Sequence, residues 1–200
     1  MSDVAVDVRR VARLSATQVH AMLDAGILPN AGALELIDGL LVWKDRTAHG
    51  GGVMTIGEKH NLVIKLLARL DPDLALQGSH MQTQGPVRLS GTDEPEPDGA
   101  IVRGDPRDYA DQTPTSADVT CVLEVADSSL EYDRTTKATL YGRAGIPQYV
   151  IVNLRHLCLE VFADPADGAY RRSSVVRAGD LVALVTATGD VSIPAERLLP

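Results

Sequence analysis

The spacing of hydrophobic positions predicts three helices along the chain. Residues 15–25 predict a short helix, because Ser15 and Gln18 form a capping-box pattern ahead of an amphipathic stretch. Residues 58–70 and 130–144 also repeat their apolar side chains at helical spacing, which favours two longer helices. These three segments are separated by strand-like runs, so the chain mixes both kinds of element.

Short apolar runs bounded by turn residues predict the strands. Residues 33–37 and 40–43 flank Asp38-Gly39, a pair that suits the positive φ angles of a tight hairpin turn. The glycines at 50–52 then predict a flexible connection. Further strand-like runs lie at 98–102, 119–125, 149–152, 157–162, 170–176, 181–185 and 191–193. The order of elements predicts one mixed α/β domain.

The net charge of the chain is concentrated in one stretch. The 200 residues carry 27 acidic and 19 Lys or Arg side chains, a net charge of −8, and twelve of the acids fall within residues 91–133. Such an acidic balance argues against a simple electrostatic nucleic-acid binder. Residues 91–118 are predicted to form acidic loops with solvated side chains, which leaves open a contact with a basic partner protein.

Several features favour a cytoplasmic location. No apolar run approaches the roughly 18–20 residues needed to cross a bilayer, so no membrane association is expected. Residues 1–13 lack the hydrophobic stretch of a signal peptide. Cys121 and Cys158 lie in separate apolar runs and predict buried, reduced thiols rather than a disulfide or a zinc site.

Two acidic residues lie at or within apolar strands. Glu124 interrupts the run 119–125, and Asp98 opens the run 98–102. A buried carboxylate is costly unless it is paired, hydrogen-bonded or bound to metal. Grouped carboxylates suit Mg²⁺ or Mn²⁺. On spacing alone, a solvated strand end for Asp98 and a satisfied structural acid for Glu124 are the favoured interpretation.

Lys137 lies in the predicted helix that follows the strand of Glu124. Its ammonium could approach the Glu124 carboxylate, orient or deprotonate a water, and offset charge that develops on a phosphate. Asp133 stands four residues earlier in the same helix and Tyr141 four residues later. The other interpretation of this spacing is an ordinary surface ion pair between Asp133 and Lys137.

Glu35 and His60 are less specific candidates. Glu35 alternates with Leu34 and Leu36, and this alternation favours a side chain that faces solvent. His60 lies on the apolar side of its predicted helix, which favours a core histidine over a metal ligand. The sequence has no GxSxG, GxxxxGK[ST], HExxH or GxGxxG motif, so metal-assisted chemistry on carboxylates is the reaction class that remains.

Several of these segments together resemble the Uma2 family, also called DUF820. The segments are Glu35-Leu-Ile-Asp-Gly39, His60 at the start of a helix, Pro97-Asp98, Leu123-Glu124-Val125, Tyr132-Asp-Arg-Thr-Thr-Lys137 and Tyr141-Gly-Arg-Ala-Gly-Ile-Pro-Gln-Tyr-Val-Ile-Val152. The likeness runs from about residue 33 to about residue 162. This family groups endonucleases of the PD-(D/E)XK, restriction-endonuclease-like superfamily.

The resemblance implies a fold and a set of active-site residues. It implies an α/β fold with a mixed sheet flanked by helices, formed by a domain of residues 31–200 behind an N-terminal helical extension of residues 1–30. Asp98 and Glu124 would be the carboxylates that hold Mg²⁺ or Mn²⁺. Ala126 stands where the superfamily has its lysine, and Lys137 would replace that lysine from the next helix.

The resemblance also gives minor roles to other residues and shows two departures. Glu35 would join the catalytic group, with His60, Asp133 and Tyr141 as outer members of the site. The stretch 125–129 replaces a Leu-Ser-Pro-Ser-like segment of the family, and Asn153 stands where an Asp is common.

The function expected from these observations is metal-dependent hydrolysis of nucleic-acid phosphodiester bonds. The substrate would be a nucleic acid, with DNA favoured and RNA left open, bound weakly and in a metal-dependent manner, and a homodimer is compatible with the sequence. The alternative is a nuclease-like binding or regulatory module without turnover.

Overall fold

A computed structural model describes residues 11–28, 34–44 and 57–200 of the chain. The predicted glycine connection at 50–52 and residues 1–10 and 29–30 of the predicted N-terminal extension lie outside these described residues.

The described residues form a mixed α/β structure. The helices are α1 Ala16–Asp24, α2 Glu58–Ala68, α3 Asp71–Ala75, α4 Leu130–Tyr132 and α5 Ala138–Arg143. The strands are β1 Leu34–Ile37, β2 Leu40–Trp43, β3 Ser79–Thr83, β4 Gly99–Arg103, β5 Val119–Ala126, β6 Gln148–Asn153, β7 Cys158–Ala166, β8 Ala169–Arg177, β9 Leu181–Val185 and β10 Asp190–Pro194. Two 3-10 helices cover Pro106–Tyr109 and Ala195–Arg197.

A six-stranded mixed sheet organises the fold. Its strand order is β3-β4-β5-β6-β7-β8, and β5 and β6 are parallel while the other neighbours are antiparallel. The hairpins β1-β2 and β9-β10 form two smaller sheets. Strand β5 is buried along its whole length, as a strand covered on both faces must be.

Each face of the central sheet is covered by its own hydrophobic cluster. Leu123 and Val125 of β5 pack on one side with α2, α3 and the β9-β10 hairpin. Val122 and Ala126 of the same strand pack on the other side with α4 and α5. Glu124 shares the parity of this second set, so it points to the side that carries Lys137.

The predicted helix over 130–144 contains a π-helical turn. Residues Asp133–Lys137 form this turn between α4 and α5, and the Ala138 N–H donates to the Asp133 carbonyl five residues back. Such turns are frequent at functional sites, because one extra residue in a helix changes which face the following side chains occupy.

The structure confirms most of the predicted elements and adds one strand and one α-helix besides the two 3-10 helices. Ser15 caps α1 with both bonds of the capping box, and the hairpin turn has φ of 51° at Asp38 and 72° at Gly39. Strand β3 and helix α3 were not predicted, because Ser79–Thr83 lacks an apolar alternation and Asp71–Ala75 is only five residues long.

Cys121 and Cys158 are free and buried, as predicted. No helix among the described residues combines the length and apolar character needed to cross a bilayer.

Candidate active site

Asp98 and Glu124 meet where β4 begins and β5 ends. The Gly99 of β4 pairs with Leu123 of β5, which places the two acids on adjacent strands at the same level. The Asp98 N–H donates to Glu124 Oε2 at 3.3 Å, and the Val125 N–H donates to Asp98 Oδ2 at 2.9 Å. Backbone donors therefore fix both carboxylates beside each other, as the sequence predicted.

Lys137 lies between two carboxylates. Its Nζ donates to Glu35 Oε1 at 2.9 Å and lies 3.2 Å from Glu124 Oε1. The side chains of all three residues are more than 90% buried. The predicted approach of Lys137 to Glu124 is thus present, and the lysine bridges the β1-β2 hairpin to the central sheet.

The prediction that Glu35 faces solvent is wrong. Glu35 is only 6% exposed, and its Oε1 accepts hydrogen bonds from the Glu96 N–H at 2.8 Å and from the Lys137 ammonium. Alternation in a strand predicts solvent exposure only when one face of the hairpin is open. Here residues distant in the sequence cover that face.

Asp133 and Lys137 lie at the two ends of the π turn and do not form an ion pair with each other. Asp133 is 4% exposed, and its Oδ2 accepts the Ser129 hydroxyl at 2.6 Å. The close carboxylate partners of Lys137 among the described residues are Glu35 and Glu124. The alternative of a surface Asp133–Lys137 pair is therefore wrong, and Ser129 is a partner that the sequence analysis missed.

Tyr141 and His60 complete the surroundings of the two acids. The Tyr141 hydroxyl, which is fully buried, donates to Glu124 Oε1 at 2.8 Å. His60 Nε2 lies 3.1 Å from Asp98 Oδ2, while its buried Nδ1 has no hydrogen-bond partner among the described residues. His60 is therefore held by an acid of the site rather than by the hydrophobic core alone.

Burial shifts the protonation of the central groups. Burial raises the pKa of the Glu124 carboxyl to about 8, against the lowering effect of the Lys137 ammonium. Burial opposes the charge of Lys137, but the negative charges of Glu124 and Glu35 outweigh it and raise the pKa of the lysine. Lys137 therefore stays protonated at neutral pH and is unsuited to act as a base.

The acidic stretch 91–133 is only partly solvated, which corrects the prediction of free acidic loops. Asp93 is 4% exposed and accepts hydrogen bonds from the Asp38 N–H and from Ser90 Oγ. Glu94, with a side chain 10% exposed, is bonded by Arg88 and lies against His20. These acids hold the β1-β2 hairpin in place.

The donor set around Asp98 and Glu124 is compatible with a hard divalent cation. No group of three or more His, Cys, Asp or Glu side chains in the described ranges is arranged to hold a metal. Mg²⁺, however, is commonly held by one or two carboxylates and keeps several waters. The protein donors to the Asp98 carboxylate within the described residues all reach Oδ2, which leaves Oδ1 for a cation.

The chain is similar to one protein family over most of its length. Residues 27–196 match the family described as "Uma2: Putative restriction endonuclease". This range includes Glu35, Asp98, Glu124 and Lys137. No curated protein matches the chain.

Two solved structures are similar to this fold to different degrees. A putative nuclease belonging to DUF820 from Anabaena variabilis superposes with a TM-score of 0.67 at 12% identity, covering 92% of this chain and 97% of its own. It shares the fold, a mixed sheet flanked by helices. The DrdV-DNA complex, solved by cryoEM, overlaps with a TM-score of 0.34 at 12% identity, covering 62% of this chain and 12% of its own.

Proposed function

Because the chain belongs to the Uma2 family of putative restriction endonucleases, we propose that it hydrolyses nucleic-acid phosphodiester bonds with a divalent cation held by Asp98 and Glu124. The observation that carries the proposal is the convergence of Asp98, Glu124 and Lys137 at one end of the central sheet. DNA is the proposed substrate, because the description of the family is "Putative restriction endonuclease".

Asp98 and Glu124 would supply the oxygen ligands. A bound Mg²⁺ or Mn²⁺ would supply Lewis-acid polarisation of the phosphate and a water of lowered pKa. The Val125 and Asp98 N–H groups hold the two carboxylates in fixed positions, which limits the reorganisation needed for binding. The Tyr141 hydroxyl occupies one lone pair of Glu124 Oε1, so Oε2 is the oxygen directed towards Asp98.

Lys137 would act as a fixed positive charge. Its raised pKa keeps it protonated, so we assign it to orienting a water and offsetting charge on the phosphate, not to removing a proton. Glu35 would hold the ammonium in place, since it accepts a hydrogen bond from it at 2.9 Å. Glu35 is therefore a positioning residue in this proposal.

A cleavage assay tests the proposal. Supercoiled plasmid DNA and RNA transcripts are incubated with the purified chain in Mg²⁺, in Mn²⁺ and in EDTA. We expect cation-dependent cleavage that is lost in Asp98→Ala and retained in Asp190→Ala, the same change at an exposed acid on β10. Cleavage that is equal in the wild type and Asp98→Ala, or absent from the wild type on every substrate, would contradict it.

A binding or regulatory module without turnover is the second candidate. It is favoured by the fact that both oxygens of Glu124 and Oδ2 of Asp98 already have protein partners. Calorimetry separates the two functions. Mg²⁺ or Mn²⁺ binding that disappears in Asp98→Ala supports the nuclease. Cation titrations that release no heat, from a protein that still binds DNA, support the module.

A further inference from the structure

The turn between β6 and β7 lies at the same end of the sheet as the two acids. Strand β6 runs parallel to β5, with Ile151 opposite Glu124 and Asn153 opposite Ala126. Neighbouring strands are about 4.8 Å apart and each residue advances about 3.3 Å, so the turn begins roughly 10 Å from Glu124. Asp98, Glu124 and this turn therefore follow one another along one edge of the fold.

Asn153 holds the backbone of this turn in a single conformation. The residue is fully buried, and its Oδ1 accepts the N–H groups of Arg155 and His156 at 3.0 Å each. Its Nδ2 donates to Glu160 Oε1 at 2.6 Å. Two donors on one end and a carboxylate on the other leave no ambiguity in the orientation of the amide.

This amide also determines where His156 carries its proton. Asn153 Nδ2 lies 3.1 Å from His156 Nδ1, and since the amide nitrogen is a donor, Nδ1 must accept. An Nδ1 that accepts this bond leaves the ring N–H on Nε2. His156 is exposed, and Nε2 has no partner within the described part of the chain, so an N–H donor is available to a ligand.

Arg155 is available beside this donor. Its Nε lies 3.4 Å from Asp127 Oδ1, and the two side chains are 49% and 73% exposed, so the pair is weak and exchangeable. The buried charge of Glu160 does not oppose an anion here, because Arg134 pairs with both of its oxygens at 2.7 and 2.9 Å. The turn thus presents a cation and a directed neutral donor side by side.

We propose that Arg155 and His156, held by Asn153, bind a backbone phosphate of DNA adjacent to the phosphate at Asp98 and Glu124. This inference rests on the proposed nuclease function and specifies how the substrate strand would be oriented. A phosphate accepts hydrogen bonds from both kinds of donor, and contacts of this type fix the register of a protein on nucleic acid without reading its sequence. The strand would run along the sheet edge from β4 towards β7.

Equilibrium binding tests the inference independently of cleavage. Fluorescence anisotropy with a labelled duplex DNA, and with an RNA duplex of the same sequence, compares the wild type with Arg155→Ala and His156→Ala in Mg²⁺. Arg171→Ala is the matched control, because Arg171 is an exposed arginine at the opposite end of the sheet. After each titration the probe is run on a gel, and only titrations in which the DNA is uncleaved are analysed. Melting curves confirm that the variants are folded.

Each variant has its own expected signature. Arg155→Ala weakens DNA binding about five- to tenfold. It also makes the negative slope of log K against log salt shallower by about 0.9, because one phosphate contact no longer releases a counterion. His156→Ala weakens binding by a similar factor and leaves that slope unchanged, since the neutral imidazole displaces no counterion. Arg171→Ala binds as the wild type does.

The outcomes separate this inference from the proposed function. Wild-type affinity in both turn variants overturns the inference and leaves the nuclease proposal intact, provided that the cleavage assay is positive. Equal losses in Arg155→Ala and Arg171→Ala would show a general charge effect and also overturn it, as would tighter binding of RNA than of DNA. Selective losses in the turn variants support the inference even if the chain does not cleave.

Discussion

Glu35 accepts a hydrogen bond at 2.9 Å from the ammonium of Lys137, although 102 residues separate them in the chain. The contact ties the β1-β2 hairpin to the helical segment over the central sheet. It also brings the lysine to 3.2 Å from Glu124. The hairpin is therefore part of the candidate site.

Replacing Lys137 removes the cation that lies beside the two buried carboxylates of Glu35 and Glu124. We expect Lys137→Met to lower the free energy of unfolding by about 3–5 kcal/mol near neutral pH, because breaking a buried pair leaves an unpaired charge. Cleavage should fall by at least about 100-fold, as expected when a fixed charge at a reacting phosphate is lost. Denaturant titration and plasmid cleavage measure the two effects.

Lys65→Met is the control for this substitution. Lys65 is exposed in the last turn of α2, so its loss should change neither quantity appreciably. A Lys137→Met variant that folds and cleaves like the Lys65→Met variant would contradict the role given to the buried lysine.

A milder change at Glu35 tests positioning separately from chemistry. Glu35→Gln keeps an oxygen that can accept from Lys137 and from the Glu96 N–H, but it removes the negative charge. We expect kcat to fall about tenfold with KM within about twofold, because the ammonium is held less firmly while substrate contacts are unchanged. Steady-state cleavage kinetics give both constants.

Two further variants complete the Glu35 experiment. Glu35→Ala should lose more activity than Glu35→Gln, since it removes the acceptor as well as the charge. Asp38→Asn changes an exposed acid in the turn of the same hairpin, where Asn tolerates the positive φ, and should be neutral. Equal kcat values for wild type and Glu35→Ala would exclude a positioning role.

The stability contributed by Asp133 should depend on pH. Burial raises the pKa of its carboxyl from 3.8 to about 6, so the folded state favours the protonated form. This contribution is fully present below about pH 4 and is lost as the pH rises through about 6. Relative to Asp133→Asn, which does not titrate, the wild type should lose about 1–3 kcal/mol between about pH 4 and pH 7.

Denaturant unfolding in metal-free buffer at several pH values measures this difference. Asp190→Asn serves as the control, because an exposed acid should leave the pH profile of the wild type unchanged. Parallel profiles for wild type and Asp133→Asn would show that burial of Asp133 has no such effect.

The proton of His156 gives a prediction that needs neither DNA nor metal. Because Asn153 Nδ2 donates to His156 Nδ1, the neutral imidazole should carry its proton on Nε2. Long-range proton–nitrogen NMR spectra of the neutral ring distinguish the two tautomers. A proton on Nδ1 would contradict the arrangement of the β6-β7 turn described above.

The sequence predicted the parts of this fold that depend on local pattern. The Asp38-Gly39 turn follows from residues that tolerate positive φ, and β5 follows from an apolar run long enough to cross a buried sheet. The pairing of Asp98 with Glu124 was also predictable, because each acid occurs at an apolar strand and neighbouring strand ends meet at one edge.

The remaining features depend on contacts between distant segments. The burial of Glu35 requires Lys137 and the Glu96 backbone, neither of which alters the local alternation around it. Asp93 becomes internal by accepting the Asp38 N–H across 55 residues. The π turn at Asp133–Lys137 likewise has no clear sequence signal, because its residues are compatible with an ordinary α-helix.

Anomalous diffraction from crystals soaked in Mn²⁺ tests most directly whether Asp98 and Glu124 together hold a divalent cation. We expect a manganese peak in contact with one oxygen of Asp98 and one of Glu124 in the wild type, and no peak there in Asp98→Asn crystals soaked in the same way. A wild-type map with both carboxylates ordered and no manganese between them, at saturating Mn²⁺, would contradict a cation site at these two residues.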